Sequence, residues 1–109
     1  MERGRNNTRG EIAVIIYIAG PITGVPDYHE KFQKARTELN RHDWIVFDPS
    51  VLPSGLPWEA YMPICYSMMD ASDAIYFLRG WERSRGARLE FERATKRGIK
   101  IMFEEGCKP

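Results

Sequence analysis

One carboxylate, Glu90, stands where a helix should be turning its apolar side inward. On a helical wheel Ala87, Phe91 and Ala94 define the buried arc, and Glu90 falls beside Ala94, three residues after Ala87. Leu89 lies on the far side, between Arg93 and Lys96. A carboxylate on the inward side of a helix's first turn is costly unless it is paired or faces a cleft. A cleft would make it a ligand-facing acid; an ion pair with Arg85 or Arg88, or a favourable dipole position, would make it structural. Spacing leaves both open. Just before it, Ser84-Arg85-Gly86 leads into the same helix, so Ser84 and the N–H groups from Gly86 to Ala87 could hold a phosphate. An N-cap serine satisfies the same pattern.

Further candidates cluster nearby in type. Gly20-Pro21-Ile22-Thr23-Gly24 places two glycines around Pro and Thr, which suits close backbone approach to a ligand as well as a plain turn. It is neither GxGxxG nor a P-loop, since no Lys follows the second Gly. Asp48 could bind ribose hydroxyls, although Asp-Pro also starts turns. Trp58 and Trp81 could stack on a base or fill the core. Asp70 and Asp73 read as caps. His29 and His42 lack a carboxylate or Cys to complete a ligand set, and Cys65 and Cys107 fit no metal or redox spacing, so neither a metal nor a cofactor is expected.

The elements that must position these groups are legible from periodicity. Residues 1–11 are polar and read as a frayed tail, and order begins with the apolar run Ile12–Ala19, a strand buried on both faces. Asp27 and Glu30 predict a capping box for a helix whose stripe is Tyr28, Phe32, Ala35 and Leu39, ending at His42–Asp43. Trp44–Phe47 is a second buried strand, and residues 49–57 form a loop. From Trp58, the stripe Trp58, Tyr61, Met62, Cys65, Met68 and Met69 predicts a helix that Pro63 should kink or restart. Ala60, Ile64 and Tyr66 make it apolar on a second side, which suits a subunit interface. Ala74–Leu78 is a strand, Arg79–Gly86 a loop, Ala87–Arg97 a helix capped by Gly98, Ile99–Phe103 a strand, and Glu104–Pro109 a tail. The domain therefore spans 12–104, with 105–109 beyond it. The pattern predicts a small doubly wound α/β fold of Rossmann or flavodoxin type. Its mostly parallel sheet should have four to five strands, with helices on both faces. Ligands of such sheets sit beyond the carboxyl ends of the strands, where the loops after the first three strands lie.

The chain has 109 residues, 43% of them apolar, with sixteen basic against fifteen acidic and a formal charge of +1. This size allows a single core that buries about two-thirds of the unfolded surface. The charge balance argues against a nucleic-acid partner. No run is long enough to span a membrane, and the polar N-terminus does not read as a signal peptide, so a cytoplasmic location is expected.

Tyr17-Ile18-Ala19-Gly20-Pro21-Ile22-Thr23-Gly24, Asp73-Ala74-Ile75 and Gly80-Trp81-Glu82-Arg83-Ser84-Arg85-Gly86-Ala87-Arg88-Leu89-Glu90 together resemble the nucleoside 2-deoxyribosyltransferase-like superfamily. Within it the chain looks like an uncharacterised phage- and prophage-associated branch. The resemblance runs from Tyr17 to about Phe103. It implies cleavage of the N-glycosidic bond of a nucleoside or nucleotide, with the sugar passed to water or another base. Glu90 would be the nucleophile on C1′, Ser84 and Gly86 the phosphate cradle, and Gly20–Gly24 the base and sugar wall, with Tyr17, Asp48, Trp81 and Ala87 also binding substrate. It also implies a homodimer or higher homo-oligomer. The family commonly carries an Asp eight residues before Asp73, where this chain has Cys65. A thiol cannot supply that carboxylate's hydrogen bonds, so either another group helps the base leave or activity is reduced or absent. A catalytically silent protein that sequesters a nucleotide is the alternative; a pure interaction module is the third reading.

Overall fold

A computed structural model describes residues 13–107. The expected N-terminal tail, Ile12 of the first strand and residues 108–109 lie outside the described residues. The chain runs β1 (Ile15–Ala19), α1 (Tyr28–Asn40), β2 (Ile45–Phe47), α2 (Trp58–Asp70), β3 (Ala74–Phe77), α3 (Arg85–Arg97) and β4 (Lys100–Phe103). Single 3-10 turns at Pro49–Val51 and Trp81–Arg83 follow β2 and β3. The four strands are all parallel in the order β2-β1-β3-β4, a doubly wound α/β arrangement. No described helix is long and apolar enough to cross a membrane.

Side chains alternate across each strand, so the sheet splits the core in two. Ile16 and Ile18 of β1 pack with Phe32, Ala35 and Leu39 of α1 on one face. Tyr17 and Ala19 pack with Cys65 and Met69 of α2 and Ala87 and Ala94 of α3 on the other. β1 has neighbours on both edges and helices on both faces, and every one of its residues is buried. The order reverses between β1 and β3, because the connection after β1 goes to one side and the later ones go to the other. The carboxyl ends of β1 and β3 therefore diverge around a crevice.

Several local expectations are corrected. β2 is not buried: Ile45 is 45% exposed, and among the described residues the strand lies at the sheet edge. A short apolar run does not report edge or centre. The capping box of α1 does not form, since Asp27 makes no side-chain cap bond. The helix is instead entered from a turn in which Tyr28 N–H donates to the Val25 carbonyl. Asp43 takes the left-handed conformation, φ 64°, that Gly more often supplies. α2 runs from Trp58 to Asp70 as one helix, so Pro63 does not restart it. α3 begins at Arg85, with Ser84 as its N-cap and Gly98 as its left-handed C-cap. Residues beyond β4 are no loose tail as far as they are described. Glu104 N–H donates to the Phe77 carbonyl and Cys107 N–H to that of Glu104.

Candidate functional site

The crevice holds a cavity of about 370 Å³ whose floor is the pair Tyr17 and Glu90. Tyr17 lies on the α2/α3 face of β1, and α3 packs its Ala87 and Ala94 against that same face. Glu90, between them on the helix, is thereby pressed into the protein at 5% exposure. The Tyr17 hydroxyl donates to its Oε2 at 2.5 Å. No cation is bonded to the Glu90 carboxylate among the described residues, so the ion pair with Arg85 or Arg88 is not its role. Arg88 donates instead to the Glu82 carbonyl.

Burial sets the electrostatics. It pushes the Glu90 carboxyl from the ordinary 4.5 up to about 8, and the Tyr17 hydrogen bond only partly opposes it. Burial, followed by the Glu90 charge, holds the Tyr17 hydroxyl protonated well above its usual range. Cys65 sits fully buried beside them. Burial raises its thiol to about 11, the Tyr17 hydroxyl pulls it back, and the Glu90 carboxylate adds to the rise. Tyr61 is likewise pushed up, first by burial and then by Cys65. Around neutral pH this group of side chains is therefore mostly protonated and ready to respond to charge brought in by a ligand.

The walls come from the loops after β1 and β3 and from the start of α2. Gly20, Ile22 and Thr23 line one side. Gly20 is required by close approach: a Cβ there would stand 3.0 Å from Leu78 Cβ, where the chains leaving β1 and β3 touch. Ser84, Gly86 and Ala87 line another side. Ser84 Oγ accepts from Ala87 N–H at 3.2 Å, so the N-cap role is real. Its hydroxyl hydrogen is left to donate elsewhere, and the N–H groups of Arg85 and Gly86 are among those a helix cannot satisfy internally. Arg83 and Arg85 add positive charge at this rim.

Of the residues singled out in the sequence, Tyr17, Gly20, Ile22, Thr23, Ser84, Gly86, Ala87 and Glu90 meet at this cavity. Pro21, Gly24, Asp48 and Trp81 are not brought to its wall. Asp48 is turned away, accepting from Arg36 Nη1 at 2.6 Å and from the Ser50 hydroxyl at 2.6 Å. Trp81 packs in an aromatic cluster with Phe77, Phe91 and Phe103, with its indole N–H unpartnered. The two tryptophans thus divide: Trp58 lines the cavity at 37% exposure with the Arg85 guanidinium 4.9 Å from its ring centre.

Sequence reasoning missed Tyr61, Met62, Pro49, Arg83 and Arg85 as lining groups. Tyr61 and Met62 belong to a stripe that reads equally as core, and the arginines to a loop with no periodicity. Among the described residues no group of three or more His, Cys, Asp or Glu could hold a metal. A second cavity of about 290 Å³ adjoins the first, sharing Ile22, Thr23, Pro49, Trp58 and Tyr61 as a common wall.

A family model described as a domain of unknown function (DUF4406) matches residues 14–103, and the chain belongs to that family. No curated protein and no solved structure matches it. The matched span reaches from β1 to β4 and contains every residue of the cavity wall.

Proposed function

We propose that this DUF4406 domain binds a nucleoside or nucleotide and cleaves its N-glycosidic bond, passing the sugar to water or another base. The observation that carries this reading is the Glu90 carboxylate. It is buried at the floor of a cavity and accepts from the Tyr17 hydroxyl, and among the described residues no cation is bonded to it. A structural role does not account for so costly a placement, whereas covalent catalysis at an anomeric carbon does. The carboxylate attacks C1′ through an oxocarbenium-like transition state and splits one hard displacement into two easier ones. Positive charge developing on the sugar lowers the carboxyl pKa at the moment the nucleophile is needed. The Ser84 hydroxyl, the first N–H groups of α3 and the arginines at the rim form the end that suits a 5′-phosphate. The test is base release from a panel of nucleosides and 5′-monophosphates, read by chromatography, beside Glu90→Ala. Turnover undiminished in that variant would end the assignment.

Two observations favour a second reading. The Glu90 carboxyl near 8 is mostly protonated at neutral pH, and buried Cys65 offers no acid in place of the Asp common in the nucleoside 2-deoxyribosyltransferase-like superfamily. A silent nucleotide-sequestering protein accommodates both facts. Calorimetry with the same panel separates the two, since tight binding without turnover supports sequestration. The reading also carries a homo-oligomer, for which Ile64 on the outer side of α2, 39% exposed, supplies apolar surface; sedimentation velocity tests it.

A further inference from the structure

We infer, building on the N-glycosidase reading, that the substrate class is N-glycosides whose aromatic aglycone is already cationic, such as N-ribosylpyridinium nucleotides. The two adjoining cavities are chemically unlike. The first holds Glu90, Arg83 and Arg85. The second has no charged side chain; its wall carries the aromatic rings of Tyr28, Trp58 and Tyr61 with Ser50 and aliphatic neighbours such as Leu52 and Leu56. A sugar phosphate matches the first compartment and an aromatic ring the second, with the anomeric carbon at the shared wall. Glu90 lines only the first, so it addresses C1′ from the side away from the departing ring. Aromatic faces beside a buried carboxylate are the surroundings in which an organic cation is held well.

The proton inventory leads to the same class. A neutral base leaves poorly unless an acid protonates it. Among the described residues lining either cavity, Glu90 is the sole carboxylate, and there is no His or Lys. Arginine does not give up a proton. Burial makes the Tyr17 and Tyr61 hydroxyls weaker acids than usual. Glu90 cannot attack as a carboxylate and donate a proton in the same step. A cationic aglycone removes the requirement. A Glu90 carboxylate oxygen bonds to C1′, the C1′–N bond breaks, and its electron pair passes to the ring nitrogen, which becomes neutral with no proton moved. Water then displaces the carboxylate at C1′, releasing the free sugar phosphate, regenerated Glu90 and one proton to solvent. The cationic ring also favours the ionised form of Glu90 on binding.

The experiment compares the 5′-monophosphate of N-ribosylnicotinamide with adenosine and uridine 5′-monophosphates on the full chain, by chromatography and by proton release in a pH-stat. The expected result is a kcat/KM for the pyridinium substrate above the neutral ones by about a hundredfold or more, the general-acid contribution it does without. One proton is released per turnover, and Glu90→Gln abolishes the reaction. Trp58→Leu raises KM for the pyridinium substrate about tenfold with kcat less affected, the loss of an aromatic face for the cation. Neutral nucleotides cleaved as well as or better than the pyridinium one, with Glu90 required, would overturn the substrate class and leave the N-glycosidase reading standing. Cleavage of none of the three removes that reading and the inference with it.

Discussion

Replacing Glu90 by Gln tests the placement of the carboxylate independently of any ligand. The carboxyl ionises at about 8 in the folded protein against an ordinary 4.5. A carboxyl raised on folding contributes stability that is complete below its unfolded pKa. That stability is lost as pH rises, and the loss is finished once pH passes the folded pKa. At about 1.4 kcal/mol per pH unit, the interval from 4.5 to about 8 amounts to about 5 kcal/mol when complete, of which about 3 kcal/mol is already felt at pH 7. Gln keeps the shape and can still accept from the Tyr17 hydroxyl, but has nothing to ionise. The variant should therefore match the wild type near pH 5 to within about 1 kcal/mol and exceed it at pH 7 by about 3 kcal/mol, or on the order of 10 °C in Tm. The gap should widen up to about pH 8 and then level off. Urea unfolding of both proteins from pH 5 to pH 9 measures it, because the other titrating groups are common to the pair and burial holds Tyr17, Tyr61 and Cys65, which feel the Glu90 charge, mostly protonated in the folded protein over this range. Parallel curves, or a less stable variant at pH 8, would refute the reasoning. Such a gain on removing a functional group is the expected mark of a site built at the expense of stability.

The remaining expectations concern the same cavity and its frame. If Glu90 is the nucleophile, kcat/KM for base release climbs as pH rises through about 8, the free-enzyme pKa of the carboxyl; a fall over that range would make it the acid instead. Ser84→Ala should cost about 1 kcal/mol of stability through the lost N-cap. Calorimetry should also show weaker binding of a 5′-monophosphate with little change for the matching nucleoside. Gly20→Ala should destabilise by about 1–3 kcal/mol, because the added methyl meets Leu78 at 3.0 Å; a chemical melt reads this directly. Asp70→Asn should lower stability by less than about 1 kcal/mol although Arg93 and Arg97 lie 2.7 and 3.1 Å away, since the pairs are solvent-exposed; a melt in low and high salt checks it.

The fold was readable because each apolar stripe was written at its own period. The unbroken run through Ile15–Ala19 announced a central strand, and Phe32, Ala35 and Leu39 announced the inward side of α1. Boundaries and edges were less legible. Ile45–Phe47 looks as apolar as a central strand, yet among the described residues it is an edge strand and Ile45 reaches solvent. The capping box at Asp27 and Glu30 had the right spacing but not the backbone, because the chain enters α1 from a turn rather than from an extended segment. In the site, Glu90 was legible as a charge on an apolar arc. Asp48 was a weaker candidate at the end of the second strand, and Arg36 and Ser50 take up its oxygens.

The sequence alone determined which side of each helix and strand turns inward, that the chain would alternate strand and helix, and that Glu90 would be carried inward near the start of α3. Periodicity encodes direction along one element and nothing about what lies across from it. Only the tertiary structure decided that Tyr17, 73 residues away, would meet Glu90. It alone decided that Trp58 would face the cavity while Trp81 filled the core, and that a neutral aromatic compartment would adjoin the charged one. Those pairings follow from the strand order β2-β1-β3-β4, which opens the crevice between β1 and β3 and sets α2 and α3 together on one face of the sheet. A carboxylate's surroundings, and with them its pKa and its chemistry, are properties of that arrangement.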